Sequence, residues 1–143
     1  MLKRLSLVVL AACALACADD EPRITVTPEG ALFTREADAA EPGDFAAVPS
    51  YVVANEGGQN AYVATCGDNV DAPIDQAVDG QWTQYTASYC PASATRGTAR
   101  IARSRPRMGL SVIRDAGLYR VRVEYVTESN AKLTAVSDTF RVR

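Results

Sequence analysis

Tyr119 to Val126 alternates more cleanly than any other stretch of the chain, and this pattern sets the fold class. Tyr119, Val121, Val123 and Tyr125 fall on one side, with Arg120, Arg122 and Glu124 on the other. A period of two belongs to a strand, whose successive side chains point to opposite faces. One apolar and one charged face suit an antiparallel sheet with one side buried and one side wet. Such a strand needs partners to cover its apolar face. The runs that supply them are 23–27, 50–54, 61–66, 74–78, 81–85, 98–102, 108–113 and 133–142. Gly57-Gly58, Asp79-Gly80 and Pro106 punctuate them as turn signals. The two-residue Asp79-Gly80 loop predicts a type I′ hairpin, which demands positive φ at both central residues. Residues 35–43, READAAEPG, read as a loop, and no segment has a helical period. The expectation is an all-β fold, an antiparallel sandwich of about 7–9 strands.

The start of the alternating strand adds a motif. Asp115-Ala116-Gly117-Leu118-Tyr119 resembles the tyrosine corner, D-x-G-x-Y, of immunoglobulin-like domains. The resemblance implies that the Tyr119 hydroxyl bonds back to upstream backbone and locks a crossover between sheets. Immunoglobulin domains place a Cys two residues after that Tyr, whereas this chain has Val121. The inter-sheet bridge of antibody-type domains is therefore not expected. More broadly, residues 50–66, the Asp79-Gly80-Gln81-Trp82 hairpin and the closing GLYRVRVEY and SDTFRV segments resemble bacterial cell-envelope sandwich domains. The intracellular proteinase inhibitor-like domains are one relative of that style.

The N-terminus reads as an export signal. Lys3 and Arg4 precede a chargeless run from Leu5 to Ala16, and Asp19, Asp20 and Glu21 close it. Basic start, apolar middle and small residues at the end form a secretory signal pattern. Twelve apolar-run residues reach only roughly 18 Å as a helix, short of the ~30 Å bilayer core. A cysteine after small residues at that point resembles the bacterial lipobox, in which the signal is cut before a cysteine that becomes acylated. Leu10-Ala11-Ala12-Cys13 fits the consensus better, since the family prefers Leu three places before the cysteine. Ala14-Leu15-Ala16-Cys17 leaves a signal of more usual length.

Thiol parity favours Cys17. The remaining cysteines are Cys66 and Cys90, and lipidation at Cys17 leaves them as a closed pair after Cys13 departs with the signal. Lipidation at Cys13, the alternative, would strand Cys17 as an odd thiol in an oxidising compartment. The expected organisation is a signal peptide at residues 1–16, a lipidated tether at 17–22 and one sandwich domain at 23–143. Ala18 is not the Asp that resembles an inner-membrane retention signal, so the expected destination is the outer membrane.

The formal net charge is −2, but its distribution is uneven. Residues 19–80 hold thirteen acidic side chains against Arg23 and Arg35. Residues 81–143 hold eleven basic side chains against Asp115, Glu124, Glu128 and Asp138. The simplest use of this split is internal pairing of early acidic strands with late basic ones. No concentrated basic domain signals a nucleic-acid partner.

Catalytic chemistry finds little support. The chain contains no His, which removes imidazole ligands and the usual general base. Cys66 and Cys90 lie in no CxxC and are read as a disulfide rather than a redox or zinc pair. Asp68, Asp71 and Asp75 lack EF-hand spacing and read as a solvated acidic loop. No cofactor, metal site or enzyme activity is expected. Two stretches are candidate binding surfaces. Trp82, Tyr85 and Tyr89 offer amphipathic rings to a glycan or protein of the envelope, or serve as core. Arg100, Arg103, Arg105 and Arg107 suit an acidic partner or lipid phosphates, or guard a strand edge against edge-to-edge pairing. The expected role is a non-enzymatic, lipid-anchored interaction or structural module. The alternative is a protease-inhibitor-like sandwich acting through an exposed loop.

Overall fold

The computed structural model describes residues 21–39, 41–86 and 90–143. The expected signal peptide with Cys13, the start of the expected tether with Cys17, and Tyr89 lie outside these residues.

Among the described residues the protein is all-β, with fourteen strands and no helix. The first five are β1 (Ile24–Pro28), β2 (Leu32–Phe33), β3 (Glu36–Ala37), β4 (Phe45–Ala46) and β5 (Ser50–Asn55). The middle of the chain forms β6 (Ala61–Cys66), β7 (Asn69–Val70), β8 (Ile74–Val78), β9 (Gln81–Thr86) and β10 (Arg96–Ile101). The last four are β11 (Arg107–Leu110), β12 (Gly117–Thr127), β13 (Lys132–Val136) and β14 (Phe140–Val142).

The alternating stretch is β12, the organising strand. Its first half pairs with β8 on one side and β14 on the other. Its second half pairs with β6 and β13. One continuous strand therefore belongs to two wings. Along one path the order is β1-β5-β11-β7-β6-β12-β14-β2. Strand β10 lies on the free side of β6, and the β8–β9 hairpin hangs from β12. The path curls, so that β1 at its far end packs back against β13 and β12.

This curl encloses the core. Tyr51 and Val53 from β5, Val63 from β6 and Ile101 from β10 face the inward side of β12. Val121 and Val123 are essentially without exposure, while Arg120 and Arg122 on alternate positions face out. Phe140 stacks on Tyr119 with ring centroids 6.0 Å apart, and Phe33 meets Phe140 edge-on at 5.4 Å. Gly109 is there to admit Tyr51: a Cβ on it would come within 2.1 Å of the Tyr51 ring.

The arrangement departs from a purely antiparallel one. Strand β2 runs parallel to β14, and a parallel bridge joins Gly109 of β11 to Val70 of β7. The strand number exceeds 7–9 because β2, β3, β4 and β7 are two-residue pieces too short to carry a period and the expected last strand divides into β13 and β14. Residues 35–43, expected as a loop, contain β3, which pairs with β4 around a turn at Gly43. The expected last strand, 133–142, is split at Ser137, whose hydroxyl accepts the Val121 N–H at 2.9 Å. A serine at this break keeps the β12 ladder satisfied where the backbone steps aside. The Asp79-Gly80 turn forms as its chemistry dictates, with φ of 51° and 77° and Val78 opposite Gln81.

Candidate functional site

Five chemistry-bearing groups can be traced from the sequence into the structure, starting at Asp115-Ala116-Gly117-Leu118-Tyr119. The Tyr119 hydroxyl donates to the Asp115 carbonyl at 2.8 Å and accepts the Gln76 side-chain amide at 3.0 Å. Gly117 makes room for both partners: a Cβ there would stand 2.8 Å from Gln76 Nε2 and 3.2 Å from the Tyr119 ring. Burial pushes the Tyr119 phenol well above the ordinary tyrosine range, with Tyr85 and Asp115 adding to the effect. The corner is thus a neutral hydrogen-bonding device that ties β12 to β8 and to the backbone before it.

The aromatic candidates separate. Tyr85 turns inward, packs edge-on against Tyr119 at 5.3 Å, and its oxygen accepts the N–H groups of Arg114 and Asp115 at 3.1 and 3.3 Å. It buttresses the tyrosine corner. Trp82, three positions earlier on β9, lies beneath a guanidinium instead, with the Arg120 carbon 4.4 Å from the ring centroid. Trp82 and Tyr85 therefore do not form one platform. An odd spacing on a strand sends side chains to opposite faces.

Around Trp82 the sheet builds an ionic network that sequence reasoning missed. Asp75, 5% exposed, accepts Arg120 Nε at 3.2 Å and Arg122 Nη2 at 3.3 Å. Arg122 also reaches Gln84 Oε1 at 3.0 Å and Glu124 Oε1 at 3.0 Å. A buried carboxylate clamped by two arginines on one neighbouring strand holds β8 and β12 in register. The Arg-x-Arg spacing at 120 and 122 was its visible signal; the identity of the acid was not. The carboxylates Asp68, Asp71 and Asp75 do not converge. Asp71 pairs with Arg96 at 3.5 Å, and Asp68 lines a different concavity.

That concavity, about 490 Å³, is walled by Arg100, Arg105 and Arg107 together with Asp68, Asn69 and Met108. Arg107 Nε donates to the Arg100 carbonyl at 3.4 Å, which fixes the two strands that carry them. Arg103 and Arg105 project from the exposed turn between β10 and β11, closed by the Arg105 N–H on the Ala102 carbonyl at 3.1 Å. Among the described residues, the ion pairs engage Arg23, Arg96, Arg114, Arg120 and Arg122, and none engages these four arginines. Planar guanidinium forks without carboxylate partners are suited to binding oxyanions bidentately. A second, shallow groove of about 670 Å³ lies across β6, β12 and β13, beside Tyr62, Lys132 and Leu133.

Cys66 and Cys90 are joined, with an S–S distance of 2.09 Å and Cα atoms 5.5 Å apart. The bond fastens the end of β6 to the segment leading into β10, closing a loop that contains β7, β8 and β9.

No protein-family model matches the chain, and no curated protein is similar to it. Several solved structures resemble it, among them the following two. A Northeast Structural Genomics Consortium target, SoR45, is 20% identical over 87% of each chain with a TM-score of 0.45. The crystal structure of the Bordetella pertussis protein provisionally designated ApaA is 10% identical, covering 85% of this chain and 94% of its own, with a TM-score of 0.50. At that identity the likeness to the Bordetella protein is one of fold.

Proposed function

We propose that this chain is a non-enzymatic, lipid-anchored protein of the bacterial cell envelope. Its curled β fold is read as an immunoglobulin-like sandwich variant serving as an interaction or structural module. The observation that carries this reading is the Cys66–Cys90 bond. Disulfides persist in oxidising, extracytoplasmic compartments. With those two thiols consumed, Cys13 and Cys17 are the cysteines left at the end of the export signal. Acylation at Cys17 removes Cys13 with the signal and leaves no odd thiol. Outer-membrane residence and an envelope protein or glycan as partner belong to the same proposal. The tyrosine corner at Asp115, Gly117 and Tyr119 supports the immunoglobulin-like part of it.

Metabolic labelling with a palmitate analogue tests the anchor. Label should enter the unaltered chain and Cys13→Ser, and be lost in Cys17→Ser. Label lost in Cys13→Ser and kept in Cys17→Ser would reverse the assignment, and no label in any chain would end it. The partner is sought by pull-down from envelope extract, scored against a chain with Arg103→Gln and Arg105→Gln.

A further inference from the structure

The side chain of Asn55 places the arginine turn in the molecule. Its Oδ1 accepts the N–H of Arg23 at 3.1 Å and of Gly57 at 3.0 Å. Its Nδ2 donates to the carbonyls of Gln59 at 2.6 Å and Ile101 at 3.1 Å. One amide thus joins the first residue before β1 to the last residue of β10. The chain approaching β1 also lies directly on the β5–β6 turn, where a Cβ on Gly57 would stand 1.9 Å from the Glu21 carbonyl and 2.6 Å from the Arg23 nitrogen. The N-terminal segment therefore has a fixed seat. Arg103 and Arg105 follow Ile101 by two and four residues, so they project from the same end of the molecule.

Cys17 is six residues before Arg23, a separation of at most about 20 Å. We infer that the Arg100–Arg107 surface is the membrane-facing end of the protein, docking on the phosphates of anionic lipid headgroups once the anchor is inserted. This rests on the lipid-anchor reading above. Two features favour lipid phosphate over another occupant. The four guanidiniums have no carboxylate partner among the described residues. The seated N-terminal segment delivers this end to the bilayer. Of the acidic groups nearby, Glu56 is paired with Arg23 at 3.4 Å, while Glu21 lies on the β5–β6 turn, Glu128 accepts the neutral Asn60 amide at 2.6 Å and Asp68 lines the concavity. A short tether without this surface would let the domain tumble. With it, the orientation is set.

The test uses the acylated protein reconstituted into vesicles of phosphatidylcholine alone, or of phosphatidylcholine with phosphatidylglycerol. Arginines are labelled with phenylglyoxal and read by mass spectrometry, with Arg141 on β14 as reference. Arg103 and Arg105 should label roughly thirtyfold more slowly on the anionic vesicles, the scale set by attraction of two basic residues to an anionic surface. Arg103→Gln/Arg105→Gln, in an exposed turn, should lose most of the corresponding protection of Arg100 and Arg107. Equal labelling of an acylated, vesicle-bound chain on the two compositions overturns this inference alone. A chain that carries no acyl mass and stays off both vesicle types overturns the anchor reading and this inference with it.

Discussion

Tyr51 and Tyr119 each join a fully buried ring to a hydroxyl with a backbone acceptor, Val70 O at 3.1 Å for one and Asp115 O at 2.8 Å for the other. Burial pushes both phenols above the ordinary value. A raised folded-state pKa means that the folded chain holds its proton where the unfolded chain has lost it. The stability so contributed is complete below about pH 10, the unfolded tyrosine value, and is lost as pH rises above it. Because the chain has no His, no imidazole titration adds slope near neutrality. Urea unfolding followed against pH should therefore be flat from 7 to 9 in this respect and fall steeply above 10. Tyr51→Phe or Tyr119→Phe should flatten that alkaline limb while lowering neutral stability by about 1–2 kcal/mol for the lost hydrogen bond. An unchanged alkaline limb in both variants would remove Tyr51 and Tyr119 as its cause. Asp75 makes a different argument, because its two partners remain charged when it is neutralised. Asp75→Asn should cost about 1–3 kcal/mol. Glu124→Gln, which alters the exposed end of the same network, should cost less than about 0.5 kcal/mol. Matching urea midpoints for the two variants would mean that Asp75 does not carry the network.

The β8–β9 hairpin shows what a strand pair owes to its turn. Gly80 has φ of 77°, and a Cβ added to it would meet no atom within 4 Å, so replacing it changes backbone preference and nothing else. Gly80→Ala should cost about 1–2 kcal/mol, the penalty of a left-handed conformation for an L-residue. Amide exchange at Val78 and Trp82 should quicken while Val123 and Tyr125 on β12 keep their protection. Uniform quickening would show that the turn supports the whole core. This hairpin and β12 were legible in the sequence because their signals are local: a dipeptide with one good conformation, and an eight-residue alternation. The parallel β2–β14 pairing was not, since two-residue strands have no period and take their partner from the curl of the sheet. Parity alone separates Trp82 from Tyr85, three positions apart, and would have dissolved the proposed aromatic platform. Asn55 looks like an ordinary turn residue; its role depends on Arg23 and Ile101 arriving from distant parts of the chain. The arginine concavity was half visible: the run of Arg was plain, whereas Asp68 and Asn69 as its opposite wall were not.

At the scale of the whole molecule, the uneven charge resolves into cross-chain pairing. Arg96–Asp71, Arg114–Asp38, Arg114–Glu41, Arg120–Asp75 and Arg122–Asp75 each join an acid of the first half to an arginine of the second. Most of these pairs are partly exposed and screened, so they set register more than they stabilise. The Cys66–Cys90 bond acts on a different quantity, the entropy of the unfolded chain. With 24 positions between its ends, it restricts the unfolded chain by roughly 3–4 kcal/mol on the loop-closure estimate. For a domain near 120 residues that corresponds to roughly 10–15 °C in melting temperature. Reduction should lower the melting temperature by this amount, and Cys66→Ser/Cys90→Ser should match the reduced protein and no longer respond to reductant. The loop it closes contains β7, β8 and β9, including the Asp75 network and the hairpin under Arg120, so the reduced chain should lose exchange protection there first. A melting temperature unmoved by reduction would mean that β12 holds both wings together without the covalent tie. A fall with protection lost evenly across both wings would mean that they unfold as one unit.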